Sequence, residues 1–194
     1  SETIKTEFYT IDPANPDSVK LLVALDGVGW GAVEFSPDDK KLVVGKYVSA
    51  NESYVYLYDI ATGDKTLLTP QEGSEKVAWN VGGFSKDGKG LYLTTDKGSE
   101  FARLVYMDLA TRKITSLTDH INWDVNGGEL SEDGKRLAFT TNENGWSRLH
   151  ILDTVTNEEM KLPILPDGQS RGVRWHQKNR ELGLNNRAWS LIHI

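Results

Sequence analysis

An all-β fold assembled from repeated four-stranded antiparallel units is predicted by three features of this 194-residue sequence. First, an eight-residue box recurs. Phe35-Ser36-Pro37-Asp38-Asp39-Lys40-Lys41-Leu42 returns as Phe84-Ser85-Lys86-Asp87-Gly88-Lys89-Gly90-Leu91 and as Leu130-Ser131-Glu132-Asp133-Gly134-Lys135-Arg136-Leu137. A worn fourth copy is Trp175-His176-Gln177-Lys178-Asn179-Arg180-Glu181-Leu182, and successive copies start 49, 46 and 45 residues apart. Second, each box sets a polar tight turn between two apolar strand ends, with Asp-Gly or Asn supplying the positive φ of a hairpin. Third, Asp59, Asp108 and Asp153 close a strand-like run in each unit at matching offsets. Four short strands in a unit of roughly 45 residues form the signature of a β-propeller blade. Stacked immunoglobulin-like sandwiches would need roughly 100 residues per domain.

In chain order, residues 1–27 read as a half blade, the last two strands of a unit: Phe8 to Asp12 and Val19 to Leu25. A full blade occupies 28–73, with strands Gly31–Phe35, Lys41–Val48, Tyr54–Ile60 and Lys65–Thr69. Tyr54, Tyr56 and Tyr58 alternate there, so they share one face. The blade at 74–122 has strands Asn80–Phe84, Leu91–Thr95, Arg103–Leu109 and Lys113–Leu117. The blade at 123–169 has Asn126–Leu130, Arg136–Thr141, Arg148–Asp153 and Met160–Ile164. Residues 170–188 supply a second half blade, Gly172–Trp175 and Glu181–Leu184, and 189–194 form an atypical tail. No window carries a helical period.

The composition is 38% hydrophobic and 26% charged, that of a globular rather than a disordered chain. A net charge of −6 argues against nucleic acid as a partner, because phosphate binding needs a basic face. No apolar run reaches the roughly 18 residues of a membrane helix. The N-terminus has no secretory apolar core, a pattern that a processed chain shares. Without cysteine there is no disulfide framework, thiol nucleophile or thiolate metal site.

The Ser-Pro-Asp-Asp-Lys-Lys-Leu and Ser-Glu-Asp-Gly-Lys-Arg-Leu boxes resemble the WD-like repeat of TolB and of the prolyl oligopeptidase superfamily propellers. The third-strand aspartates with the following Ala61-Thr62-Gly63 turn are similar too, and the match runs from about Gly27 to Leu184. Asp124-Val125-Asn126-Gly127-Gly128-Glu129-Leu130-Ser131, echoed by Trp79-Asn80-Val81-Gly82-Gly83-Phe84-Ser85, looks closer to the peptidase propellers. The resemblance implies a propeller that gates substrates of a separate hydrolase domain. The sequence carries no Gly-x-Ser-x-Gly nucleophile elbow, so a non-catalytic segment that binds peptide or protein is expected, with a free-standing TolB-like interaction propeller as the alternative. A metal-dependent sugar lyase or lectin stands third.

His120, His150, His176 and His193 fall on different parts of the units, and no His-x-x-x-His pairing exists; solvated or hydrogen-bonded histidines are expected, with no metal and no cofactor. Asp38, Asp87 and Asp133 are expected to cap their own turns, as are Asp59, Asp108 and Asp153. The channel face of the propeller is expected to carry Trp30, Trp79, Asn80, Asn122, Trp123, Asp124, Asn126, Trp146 and Arg171, since Trp and Arg beside polar groups typify contact surfaces. The competing expectation for each tryptophan is packing between blades. Half, three and half blades leave complementary open edges that would close a four-bladed ring within one chain or an eight-bladed homodimer through composite blades, and the homodimer is the expectation preferred.

Overall fold

The computed structural model describes residues 4–69, 75–178 and 181–187. The chain divides into two compact units, Ser1–Val81 and Gly82–Ile194. Among the described residues every regular element is a strand.

In the first unit, β1 (Lys5–Asp12) and β2 (Asn15–Asp26) form a two-stranded antiparallel sheet. Then β3 (Trp30–Phe35), β4 (Lys41–Ser49), β5 (Glu52–Asp59) and β6 (Lys65–Leu67) pair in sequence order as a four-stranded sheet. Tyr58 is buried with Val23, Leu25, Leu42 and Val44, and its hydroxyl donates to the Leu22 carbonyl at 3.2 Å. Burying apolar side chains of this size stabilises by about 1.5–3 kcal/mol each.

A second four-stranded sheet contains β7 (Trp79–Phe84), β8 (Gly90–Thr95), β9 (Arg103–Asp108) and β10 (Ile114–Ser116). The second unit continues with the sheet β11 (Val125–Leu130), β12 (Arg136–Glu143), β13 (Trp146–Asp153) and β14 (Glu158–Glu159). It ends on the two-stranded sheet of β15 (Gln169–Trp175) and β16 (Leu182–Arg187). Its core joins Tyr92, Leu104, Leu117, Ile121, Val125, Leu137, Phe139 and Leu152. The tail at 189–194 lies outside the described residues.

The repeated box works as a side-chain clasp. In the third copy the Ser131 hydroxyl donates to Asp133 at 2.7 Å and accepts the Arg136 amide at 3.0 Å, while Asp133 accepts the Lys135 amide at 3.1 Å. The first and second copies repeat these bonds through Ser36–Asp38 and Ser85–Asp87. The positive φ falls on Asp39, Gly88 and Gly134 at 57°, 69° and 73°. At the third-strand ends, Asp59, Asp108 and Asp153 each accept two backbone amides from the turn that follows.

Two expectations about the fourth strands need correction. Those of the first two blades are shorter than read, because a threonine hydroxyl replaces the ladder: Thr69 accepts the Val55 amide at 2.9 Å and Thr118 the Leu104 amide at 3.0 Å. Met160–Ile164 is not a strand. Its one ladder bond runs from the Met160 amide to the Ile151 carbonyl, and Pro163 has no amide to continue it.

Candidate functional site

The first strand of three sheets carries an irregularity at the same repeat position. Register shifts fall between Ala32 and Glu34 in β3, between Asn126 and Glu129 in β11, and between Arg171 and Arg174 in β15. A bulge takes backbone groups out of the ladder and re-aims the neighbouring side chains. Gly127 and Gly172, at φ 69° and 65°, supply the left-handed backbone in the latter two.

In the first unit a cavity of about 360 Å³ opens beside the start of β3 and brings Trp30, Trp79 and Asn80 together with Gly29, Lys46 and Tyr47. Gly29 is required here, because a Cβ would collide with the Tyr47 carbonyl. Trp30 is half-buried. Its indole N–H donates to the Asp26 carbonyl at 2.9 Å, its ring tilts on Tyr56 at 5.1 Å, and the ammonium groups of Lys46 and Lys65 lie 4.6 and 4.4 Å from its centre. Lys46 also donates to the Val28 carbonyl. Trp79 is only 6% exposed. The Ser53 hydroxyl clasps its backbone, donating to the carbonyl at 2.7 Å and accepting the amide at 2.6 Å. Asn80 is exposed.

In the second unit a cavity of about 370 Å³ lies along β11, β12 and β15, lined by Asn126, Gly127, Gly128, Thr140, Ser170 and Gly172 with Glu129 and Arg174. The Arg174 guanidinium meets the Glu129 carboxylate at 2.6 Å, and the Trp175 indole N–H donates to the Glu129 carbonyl at 2.8 Å. Asn122 and Asp124 are exposed, and Trp123 is half-buried against the core. Asp124 accepts the Ala102 amide at 2.8 Å, and its carbonyl accepts a bond from the Asn126 side chain at 3.3 Å. Trp146 opens β13 opposite Glu143, after an Asn144–Gly145 turn with φ of 52° and 88°. The side chain of Arg171 lies outside the described residues.

Sequence reasoning missed the pair Glu129 and Arg174. They occupy the same repeat position in successive first strands, so opposite charges at that position were the available signal. It also separated two histidines that the fold unites. His120 Nε2 lies 2.8 Å from Glu159 Oε1, and His150 Nδ1 lies 3.0 Å from Glu159 Oε2. Burial pushes the Glu159 carboxyl up, but hydrogen bonds from His150 and His120 outweigh it and hold the group below its ordinary range. Among the described residues no group of three or more His, Asp or Glu is arranged to hold a metal ion.

Comparison with known proteins shows the same architecture. No family model matches the chain, and no curated protein matches its sequence. Solved propellers do match its structure. TolB from Acinetobacter baumannii is similar with a TM-score of 0.64 and 20% identity, over 94% of this chain and 47% of that one. A prolyl endopeptidase is similar with a TM-score of 0.64 and 16% identity, over 89% of this chain and 28% of the other. The tricorn protease is similar with a TM-score of 0.60 and 14% identity, over 91% and 16%. The fold is therefore a β-propeller, like those of TolB and the prolyl endopeptidase, and the chain spans about half the length of the TolB structure it matches.

Proposed function

We propose that this chain is a non-catalytic propeller segment that binds peptide or protein along its innermost strands, as a substrate-gating propeller of a prolyl-oligopeptidase-type peptidase would. The observation that carries the reading is the groove at β11, β12 and β15, where bulged, glycine-rich backbone runs beside Glu129 and Arg174. Glycines allow another backbone to approach closely, and backbone groups outside the ladder are free to bond an extended segment. The Arg174 side chain is 75% exposed, so its bond to Glu129 is worth about 0–1 kcal/mol and can be exchanged for a ligand carboxylate. A cavity of this size accepts one or two side chains rather than a folded domain. A free-standing TolB-like interaction propeller would use the same groove.

The test is fluorescence anisotropy with an array of overlapping, unstructured twelve-residue peptides. Peptides with an acidic residue or a free C-terminus should bind, and Arg174→Gln or Asn126→Ala should weaken them about tenfold, ~1.4 kcal/mol, at unchanged melting temperature. Binding that is indifferent to both substitutions would place the site elsewhere. The non-catalytic half of the reading predicts that a serine-directed fluorophosphonate leaves the chain unlabelled; stoichiometric labelling of one serine would overturn it.

A further inference from the structure

In the first unit two glycines face each other across a ladder: Gly31 of β3 pairs with Gly45 of β4. Neither has the left-handed φ found at Gly29 and Gly127. Neither is forced by crowding. A Cβ on Gly31 would meet no atom within 4 Å, and one on Gly45 would meet the Val33 methyl at 3.9 Å and the Gly31 carbonyl at 4.0 Å. Gly82 and Gly90 differ, since a Cβ there would press on the Tyr92 carbonyl or the Tyr106 ring. Glycine weakens a strand interior, and one that neither φ nor crowding requires marks the close approach of a ligand or another segment. The room above the pair is the cavity of about 360 Å³ beside β3, walled by Val33, Tyr47, Val55 and Trp79. Val33 and Tyr47 are exposed, so its mouth is open and apolar.

The backbone beside this cavity is open as well. β3 is the end strand of its sheet, and Gly31 to Phe35 are exposed. The Tyr47 amide donates to the Gly29 carbonyl at 2.8 Å, so Gly29 turns its backbone groups toward β4. Alternation along the strand gives Gly31 the same direction and turns the N–H and C=O of Trp30 and Ala32 to the open edge. Among the described residues no strand pairs with that edge. An antiparallel segment added there would bond to Trp30 and Ala32. Its residue opposite Gly31 would take the non-hydrogen-bonded position, where Cα atoms are about 4.5 Å apart and side chains lie closest. That side chain projects on the same face as the one Gly31 lacks, over the cavity. An aromatic ring is the group that covers bare glycine backbone at a sheet edge.

We propose that β3 accepts an extended peptide segment as an added strand, and that the Gly31–Gly45 pair is the seat of one aromatic side chain from that segment. This site shares no lining residue with the groove at β11, β12 and β15, and it stands whether or not that groove binds peptide.

Isothermal titration calorimetry of the intact chain tests it with the acetylated and amidated peptide Ser-Thr-Thr-Phe-Thr-Thr-Ser. This probe has neither the acidic residue nor the free C-terminus expected to engage Arg174. It should bind about tenfold more tightly than the same peptide with alanine at its centre, because a phenyl ring is buried. Gly31→Val fills the seat at a position with ordinary φ and open space, so it should erase that preference without lowering the melting temperature. Arg174→Gln should leave the preference unchanged. N-methylation of the two threonines flanking the phenylalanine removes the amides that would bond to Trp30 and Ala32, and it should abolish binding. N-methylation of the phenylalanine itself, whose amide points away from β3, should be tolerated. No binding of the phenylalanine peptide, equal affinity for the two peptides, a preference that survives Gly31→Val or vanishes in Arg174→Gln, or binding indifferent to the flanking methyl groups would each overturn the site.

Discussion

Asp133 accepts bonds from the Ser131 hydroxyl and the Lys135 amide, and these hold its carboxyl below the ordinary range, as the equivalent bonds do for Asp38 and Asp87. Asp59, Asp108 and Asp153 are lowered in the same direction, first by the amides of Thr62, Thr111 and Thr156. A depressed carboxyl contributes stability that is fully present above its unfolded value, near 3.8, and lost as pH falls through the lower folded value. The melting temperature should therefore drop steeply below about pH 4, and Asp133→Asn should make that acid limb shallower while lowering stability at neutral pH. A wild-type curve with no acid limb would show that the clasps contribute nothing. Trp79 gives a second residue-scale test. Buried and held through Ser53, it should cost about 3–5 kcal/mol when replaced by alanine. Asn80→Ala next to it should stay within about 0.5 kcal/mol in the same urea titration. A Trp79→Ala variant as stable as the wild type would return Trp79 to the contact surface.

Strand by strand, the legible parts were those that repeat. Asp38, Asp87 and Asp133 could be read as turn residues because the same chemistry recurs at constant spacing, and local hydrogen bonds decide it. The end of the third blade could not be read that way, since Leu162 and Ile164 look like strand residues until Pro163 is weighed for its missing amide. His120 and His150 were separated because a strand pattern says nothing about which side chains meet across a blade. Glu159 joins them only once the register Leu152 with Glu159 is known. Trp30 and Trp79 do line one cavity, yet burial set them apart as sequence position could not. Gly90 shows the same limit. In the box it reads as a turn residue, but in β8 it lies under the Tyr106 ring, which is tilted against Tyr92 at 5.3 Å. Gly90→Ala should therefore overpack the sheet and cost about 1–3 kcal/mol by chemical denaturation. Gly98→Ala, where nothing lies near the new methyl group, should cost only the strain of its φ of 65°. Equal costs for the two would mean that Tyr106 yields freely.

At the scale of the molecule, among the described residues three sheets have four strands each, and two have two. Sheet edges of this kind template association, and natural proteins pair or block them. The β1–β2 sheet adds an apolar face to its open edge: Tyr9 pairs with Leu21 in the ladder, and both are exposed together with Ile11 and Val19. We propose that the β1 edge of one copy pairs with the β16 edge of a second, completing a four-stranded blade, and that the reciprocal contact completes another. Two-fold closure of this kind satisfies both edges at once, and it is the commonest oligomer symmetry. Counted with the three full blades of each copy, the closed ring would have eight, within the range that propellers adopt. Light scattering on this 194-residue chain should then report twice the single-chain mass of 21.7 kDa. Ile11→Lys combined with Leu21→Lys places two charges on the apolar face and should shift the species to 21.7 kDa with its β-sheet circular dichroism intact. Deletion of residues 1–25 exposes the β4–β5 face that Val23 and Leu25 cover, and it should aggregate. A wild-type mass of 21.7 kDa, or a soluble and folded truncation, would rule out the composite blade between copies.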